Sequence, residues 1–404
     1  MVGRTALLSL FLVVATPAWA ANPCRPQNLP GEMWQTVTGC LTVPWDRADA
    51  SAGEFPLYFE ISEPSQPALG NLVVLHGGPA YPRHHLQERG PLWRGLRAHY
   101  RVLYFHQRGS GYSARVATRT ELEGREHLFT LDHTVEDARS LQLELLGGAP
   151  VTLMGKSAGG FIALLFALRY PTATERLILA ATTAQHEYIS QRQQVKEDYL
   201  QSLDIRYPGF LAEYRQALTV LRPGLLSAVP ALQDLLLRVD VLEGVTFDLS
   251  YTLAGQFETV AITRDVADSR FELLLERMAT GRKTLRSTGM ESLVILNHIT
   301  CREFAFARSN PEACQTPEVE SLYDVREALS GLAVPTLILS GRFDPILPPR
   351  FQQEIAEAMG EKVVCHTLEL SAHMLFQEQP EASAQLVLEF LGIERQQAAQ
   401  TPAL

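Results

Sequence analysis

The stretch VTLMGKSAGGFIALL, Val151 to Leu165, limits the possible folds more than any other part of the chain. Val151 to Met154 form a short apolar run, and from Ala158 onward apolar residues recur at helical spacing, so Ser157 falls where a strand turns into a helix. Gly155, Gly159 and Gly160 surround it. Side chains are excluded where a helix folds back closely on the strand that feeds it, and a strained residue at such a corner holds its hydroxyl out from the sheet. As a bare pattern Gly-x-Ser-x-Gly is weak; the strand before it and the helix after it make it specific. A chain with this corner needs a sheet to hold the strand and helices to cover the sheet.

The remaining sequence supplies both. Strand and helix candidates alternate from residue 40 to about residue 181: CLTVPW and FPLYFEIS as an opening pair, then NLVVLHGG, RVLYFHQRG, the amphipathic TVEDARSLQLELLGG, the corner itself and RLILAATT. That alternation predicts an α/β fold with parallel central strands. The pattern resumes with PTLILSGRFD, a helix from about Pro349 to Met359, KVVCHTLEL and a last helix from about Glu381 to Leu391. Residues 183–330 instead carry Leu, Gln, Arg and Glu at helical spacing, which predicts a mostly helical cap inserted between two parts of one domain, 21–182 and 331–395. Residues 396–404 are expected to form a flexible tail.

Residues 1–20 read as a secretory signal, with Arg4 as the positive start, ALLSLFLVVA as the apolar core and AWA as the small-x-small cleavage site. The expectation is export to the periplasm or the medium, with the mature chain starting near Ala21. The apolar core is too short to span a bilayer, no other run is long and uncharged enough, and Cys24 lies in a poor context for lipid attachment, so no stable membrane insertion is expected. Five cysteines in an exported chain suggest disulfides and one remaining thiol. Spacing does not fix the pairing; the expected pairs are Cys24 with Cys40 and Cys301 with Cys314, each closing a short loop, with Cys365 as a buried thiol in an apolar strand. The net charge of −10 shows no basic footprint for nucleic acid.

A serine hydroxyl becomes a strong nucleophile only when a base takes its proton, and the base needs a carboxylate to hold its ring. In triads built on this kind of corner the acid follows the serine in the chain and the histidine comes last. TLILSGRFDPILPP places Asp344 just past a buried strand, in a loop opened by Gly341 and Pro345, and LELSAHMLF places His373 on the loop after the last strand. His366 lies inside that strand and is read as a packing residue. The tetrahedral intermediate needs backbone donors, and these are expected from the N–H of Ala158 and from Gly78 in LHGGPAYP, with His76 bracing that loop.

HGGPA, HQRGSGYS, GKSAGG, GRFDPILP and SAHM, in this order and spacing, resemble the proline iminopeptidase family of α/β-hydrolases and its secreted tripeptidyl aminopeptidase relatives. CLTVPWD is similar to the start of the secreted branch. The resemblance implies the α/β-hydrolase fold, no cofactor, and removal of residues from a free peptide N-terminus, with acidic side chains in or near the cap holding the amine. ITCREFAF resembles the cap segment where secreted relatives carry a Cys-x-acid pair, so Glu303 is the candidate partner of the substrate ammonium, ahead of Glu258 and Asp265. The chain departs from the family pattern at Ala80, at His106 and at Ala158, where Trp or Tyr is common; the last change widens the acyl side of the pocket. Arg108 is read as a structural ion-pairing residue. RHH at 83–85 lacks a third ligand for a metal, and no Gly-rich phosphate loop follows a first strand. The expected function is an exported serine aminopeptidase acting on peptides. The alternatives are a carboxylesterase taking small esters on the same scaffold and, less expected, a non-catalytic binding protein.

Overall fold

The computed structural model describes residues 24, 27–30, 34–78, 80, 82, 90–184, 292–303, 325–342, 344, 347–369, 371 and 373–393. Among them, nine strands form one sheet: β1 (Gln27–Pro30), β2 (Trp34–Pro44), β3 (Glu54–Pro64), β4 (Asn71–Leu75), β5 (Arg101–Phe105), β6 (Val151–Lys156), β7 (Thr174–Ala180), β8 (Thr336–Gly341) and β9 (Val363–Leu368). The helices are α1 (Pro91–His99), α2 (Arg119–Leu122), α3 (Leu131–Leu146), α4 (Ala158–Arg169), α5 (Leu293–Glu303), α6 (Arg326–Leu329), α7 (Pro349–Met359), α8 (Leu375–Glu378) and α9 (Pro380–Phe390).

The strand order is β1-β2-β3-β5-β4-β6-β7-β8-β9. β1, β2, β3 and β5 pair antiparallel in succession, and every pairing from β5 to β9 is parallel. This is the mostly parallel α/β sheet that the alternating pattern predicts. Parallel strands must be joined by crossovers, and helices carried by those crossovers cover both faces. The residues of β4 show this directly: Val73 and Leu75 enter the core under α3, α4 and α7, whereas Leu72 and Val74 enter the core under α1 and α9. All four are buried.

Several boundaries differ from the expectation. β2 begins at Trp34 rather than at Cys40, and its first half pairs with β3 through Thr36 and Ser62, whose hydroxyls meet at 3.1 Å. Polar side chains at those positions hide the strand from an apolar-run reading. α1 was not foreseen. Its Leu92, Trp93 and Leu96 are buried, and it lies so close to α9 that a Cβ on Gly95 would sit 2.8 Å from the Leu388 methyl groups.

Cys24 and Cys40 form the expected disulfide, tying the chain before β1 to the middle of β2. Cys301 is disulfide-bonded as well; its expected partner Cys314 lies outside the described residues. Cys365 corrects the sequence reading, because it is an exposed free thiol rather than a buried one. β9 is the edge of the sheet, and an apolar run cannot by itself distinguish a central strand from an edge strand; neighbouring Val364 is 47 % exposed. Of the expected cap, most lies outside the described residues. α5 within it packs on the sheet domain through Ile295 and Ile299. Among the described residues, no helix is long and apolar enough to cross a membrane.

Candidate active site

Ser157 stands between β6 and α4 with φ 55° and ψ −129°. For a residue with a Cβ this conformation costs on the order of 1–3 kcal/mol, so the surroundings must enforce it. They do so on both sides of the residue. The Ser157 N–H donates to the Ala180 carbonyl at the end of β7 at 2.9 Å, and its own carbonyl accepts from the Thr182 hydroxyl at 2.7 Å and the Gly160 N–H at 2.9 Å. The glycines serve the same corner. A Cβ on Gly159 would lie 2.0 Å from the Leu75 carbonyl oxygen, one on Gly155 2.3 Å from the Gly159 oxygen, and one on Gly160 2.6 Å from the Thr182 Cβ. Ala158 opens α4, and N–H groups in the first turn of a helix have no carbonyl within it to bond.

Asp344 follows β8 and His373 follows β9, so both leave the sheet at the same carboxyl edge as Ser157. The ring Nδ1 of His373 meets Asp344 Oδ2 at 2.7 Å, with the two residues only 3 % and 1 % exposed. The second oxygen, Oδ1, accepts the Leu347 N–H at 2.9 Å, so the carboxylate is fixed from its own loop as well. In the tautomer that places the proton on Nδ1, the bond is donated to Asp344 and the other ring nitrogen is able to accept a proton. The histidine loop is held by Glu378, which accepts from the Met374 N–H and the Ser371 hydroxyl. Lys156, beside Ser157, reaches the sulfur of Met374, beside His373, so the serine corner and the histidine loop are in contact.

The loop after β4 lies against the same corner, since a Cβ on Gly77 would be 2.9 Å from the Lys156 carbonyl oxygen and 3.0 Å from the Ser157 Cβ. Gly78 has φ 119° and Ala80 φ 64°. The side chain that grips this loop is Gln107, which donates Nε2 to the His76 carbonyl at 2.9 Å and accepts the Ala80 N–H on Oε1 at 3.0 Å. The ring of His76, expected to brace the loop, stacks near Tyr104 with centroids 6.1 Å apart. Gln107 was missed because an uncharged amide carries no chemical signature of its own. The clue lay in its place inside HQRGSGYS.

Arg108 is a structural residue, as expected. Buried to 1 % exposure, it pairs through two nitrogens with Asp137 at 2.8 and 2.7 Å and donates to the carbonyls of Trp45 and Leu128. His106 is likewise buried and accepts the Tyr112 N–H on Nδ1. His366 is half-buried within β9.

Glu303 ends α5, fully buried, and its Oε2 accepts the Leu131 N–H at 2.9 Å, capping the first turn of α3. Its Oε1 has no hydrogen-bond partner among the described residues. Burial pushes the carboxyl up to about 8, Asp132 adds to the rise, and the Leu131 N–H and Arg302 oppose it. The start of α5 touches the glycine loop through the Ser292 N–H on the Ala80 carbonyl at 3.3 Å. Glu303 is the last of the eleven residues of the helix that follows that contact, about 16 Å farther along the axis. Glu258, Asp265, Arg83, His84 and His85 lie outside the described residues.

Comparison with known proteins agrees with this architecture. Residues 70–235 match a family model described as alpha/beta hydrolase fold. A proline iminopeptidase of Thermoplasma volcanium is 30% identical over 125 residues, which span 31% of this chain and 38% of the relative. A proline iminopeptidase of Saccharolobus solfataricus is 24% identical over 326 residues, spanning 80% of this chain and 84% of the relative. The crystal structure of a proline iminopeptidase of Mycobacterium smegmatis superposes with a TM-score of 0.53 at 18% identity, covering 90% of this chain and 100% of the other. The chain therefore has the α/β-hydrolase fold and resembles proline iminopeptidases.

Proposed function

We propose that this chain is an exported serine aminopeptidase that removes residues from peptides with a free N-terminus, in the manner of a proline iminopeptidase or a tripeptidyl aminopeptidase. The observation that carries the reading is the buried His373–Asp344 pair, 2.7 Å apart, on the same sheet edge as the strained Ser157 corner. Ser157 Oγ attacks the scissile carbonyl while His373 takes its proton, and Asp344 holds the ring in the required tautomer. The N–H groups of Gly78 and Ala158 receive the oxyanion. Collapse of the intermediate expels the amine, which leaves with the proton from His373, and water then cleaves the acyl-enzyme by the same steps in reverse roles. Glu303 is the candidate for the substrate ammonium: its Oε1 has no partner among the described residues and burial holds its carboxyl protonated, so a cation would relieve both, and its place at the far end of α5 from the glycine loop favours a substrate amine several residues from the scissile bond. Export is supported by the signal-like residues 1–20 and by the Cys24–Cys40 disulfide, which persists in oxidising compartments.

The test compares N-terminally free proline, alanine and tripeptide amides with their acylated forms and with short p-nitrophenyl esters. Free N-termini are expected to be preferred by at least about 100-fold in kcat/KM, with Ser157→Ala losing about 10⁴-fold or more. Cleavage indifferent to N-terminal acylation, or confined to esters, would replace the aminopeptidase with a carboxylesterase. A fluorophosphonate that labels Ser157→Ala as well as the parent protein would remove Ser157 from the chemistry.

A further inference from the structure

We infer that Gln107 is a positioning residue for the oxyanion donor, and that the HQRGSGYS segment serves to hold its amide across the glycine loop. This rests on the serine-hydrolase reading above. Gln107 is 5 % exposed, and its two bonds reach the first and last residues of the 76–80 loop, so Gly78 hangs between two points fixed by one rigid amide plane. Only one orientation of the amide satisfies both contacts, because the His76 carbonyl needs a donor and the Ala80 N–H needs an acceptor.

The backbone that carries the amide is itself anchored. The Gln107 main-chain carbonyl accepts from both the N–H and the hydroxyl of Ser110, at 3.1 and 2.7 Å, and the His106 N–H donates to the Tyr58 carbonyl at 3.1 Å. The turn that makes this possible requires glycine: Gly109 and Gly111 have φ 76° and 54°, and a Cβ on Gly111 would lie 2.3 Å from the His106 ring. Arg108, between Gln107 and Gly109, is locked on Asp137 and two carbonyls, so it does not compete for the loop. Ala80 also holds a positive φ without being glycine, a conformation that needs external support, and it receives that support from Gln107 on its N–H and from Ser292 on its carbonyl.

An oxyanion donor works only if it is already aimed when charge develops, so loosening the clamp affects the transition state more than the ground state. Gln107→Met keeps the length and removes both bonds; kcat is expected to fall about 10- to 100-fold with KM within about threefold. Gln107→Glu keeps the acceptor for Ala80 and loses the donor to His76, and an intermediate kcat is expected. The readout that a merely structural role would not move is affinity for a trifluoromethyl ketone, which forms a tetrahedral adduct: it should weaken in parallel with kcat, while affinity for the cleavage product stays constant. Melting temperatures are measured for both variants. A kcat within twofold of the parent protein, a loss confined to KM, equal weakening of product and ketone, or failure of both variants to fold would each overturn the clamp. If the parent protein forms no fluorophosphonate adduct at Ser157, the enzymatic reading fails instead; an adduct with an unaffected Gln107→Met leaves that reading and removes only the clamp.

Discussion

Asp344 and Glu303 are both carboxylates with almost no exposure, and both accept a backbone N–H, yet their surroundings use them differently. Asp344 spends its two oxygens on the Leu347 N–H and the His373 ring, inside loops that leave the ends of β8 and β9. Glu303 spends one oxygen on a helix N-terminus 172 residues away in the chain and leaves the other without a partner among the described residues. A buried charge is tolerated when each lone-pair direction is used, and is otherwise relieved by binding a proton. The first arrangement fixes the neighbouring ring; the second leaves a carboxyl that burial favours in its protonated form.

The largest expected effect that sharpens this contrast is on Asp344. Asp344→Asn preserves size and the Leu347 contact but favours the wrong ring tautomer, so kcat should drop by about 10⁴-fold with little change in melting temperature. A drop below tenfold would mean that the carboxylate is only a structural partner of the loop. Next is the backbone corner that the Asp344 edge depends on. Gly159→Ala forces a methyl group onto the Leu75 carbonyl and is expected to cost about 3–5 kcal/mol in denaturant unfolding, lowering yield as well as activity. Normal stability would show that helix and strand can separate there without loss.

The smallest effect belongs to Glu303, and its sign follows from protons bound. With its carboxyl raised from an ordinary 4.5 to about 8, the folded chain holds a proton that the unfolded chain has released between those values. Stability from this group is therefore complete below about pH 4.5 and lost as pH rises toward and through 8. Glu303→Gln keeps an acceptor for Leu131 and should remove that slope, gaining on the order of 1–3 kcal/mol above pH 8. The same variant should raise KM for N-terminally free peptides only. A parent protein whose stability is flat from pH 5 to 8 would place a counter-charge beside Glu303 already.

What could be read from sequence follows the same division. Ser157, Asp344 and His373 each end or follow a short apolar run, and a strand that stops at the sheet edge leaves its next polar residue there. Local glycine spacing pointed to a close approach of helix and strand at the corner, but not to β4, whose Leu75 carbonyl is what lies nearest Gly159. Gln107 and the capping role of Glu303 were hidden because they depend on partners 27 to 172 residues away and on side-chain types without a distinct chemistry. The exposure of Cys365 was misread for a similar reason, since strand order decides which apolar run is an edge.

The bonding of the sheet does not stop where its strands do. Ser157 N–H reaches Ala180, Ala181 N–H reaches Leu339, and Arg342 N–H reaches Leu368, so the ladder continues one step beyond β6, β7 and β8. These amides cannot open one at a time without parting neighbouring strands. In deuterated water they should exchange as slowly as the interior of the sheet, hours behind ordinary loop amides, giving the reactive edge the time constant of whole-domain unfolding.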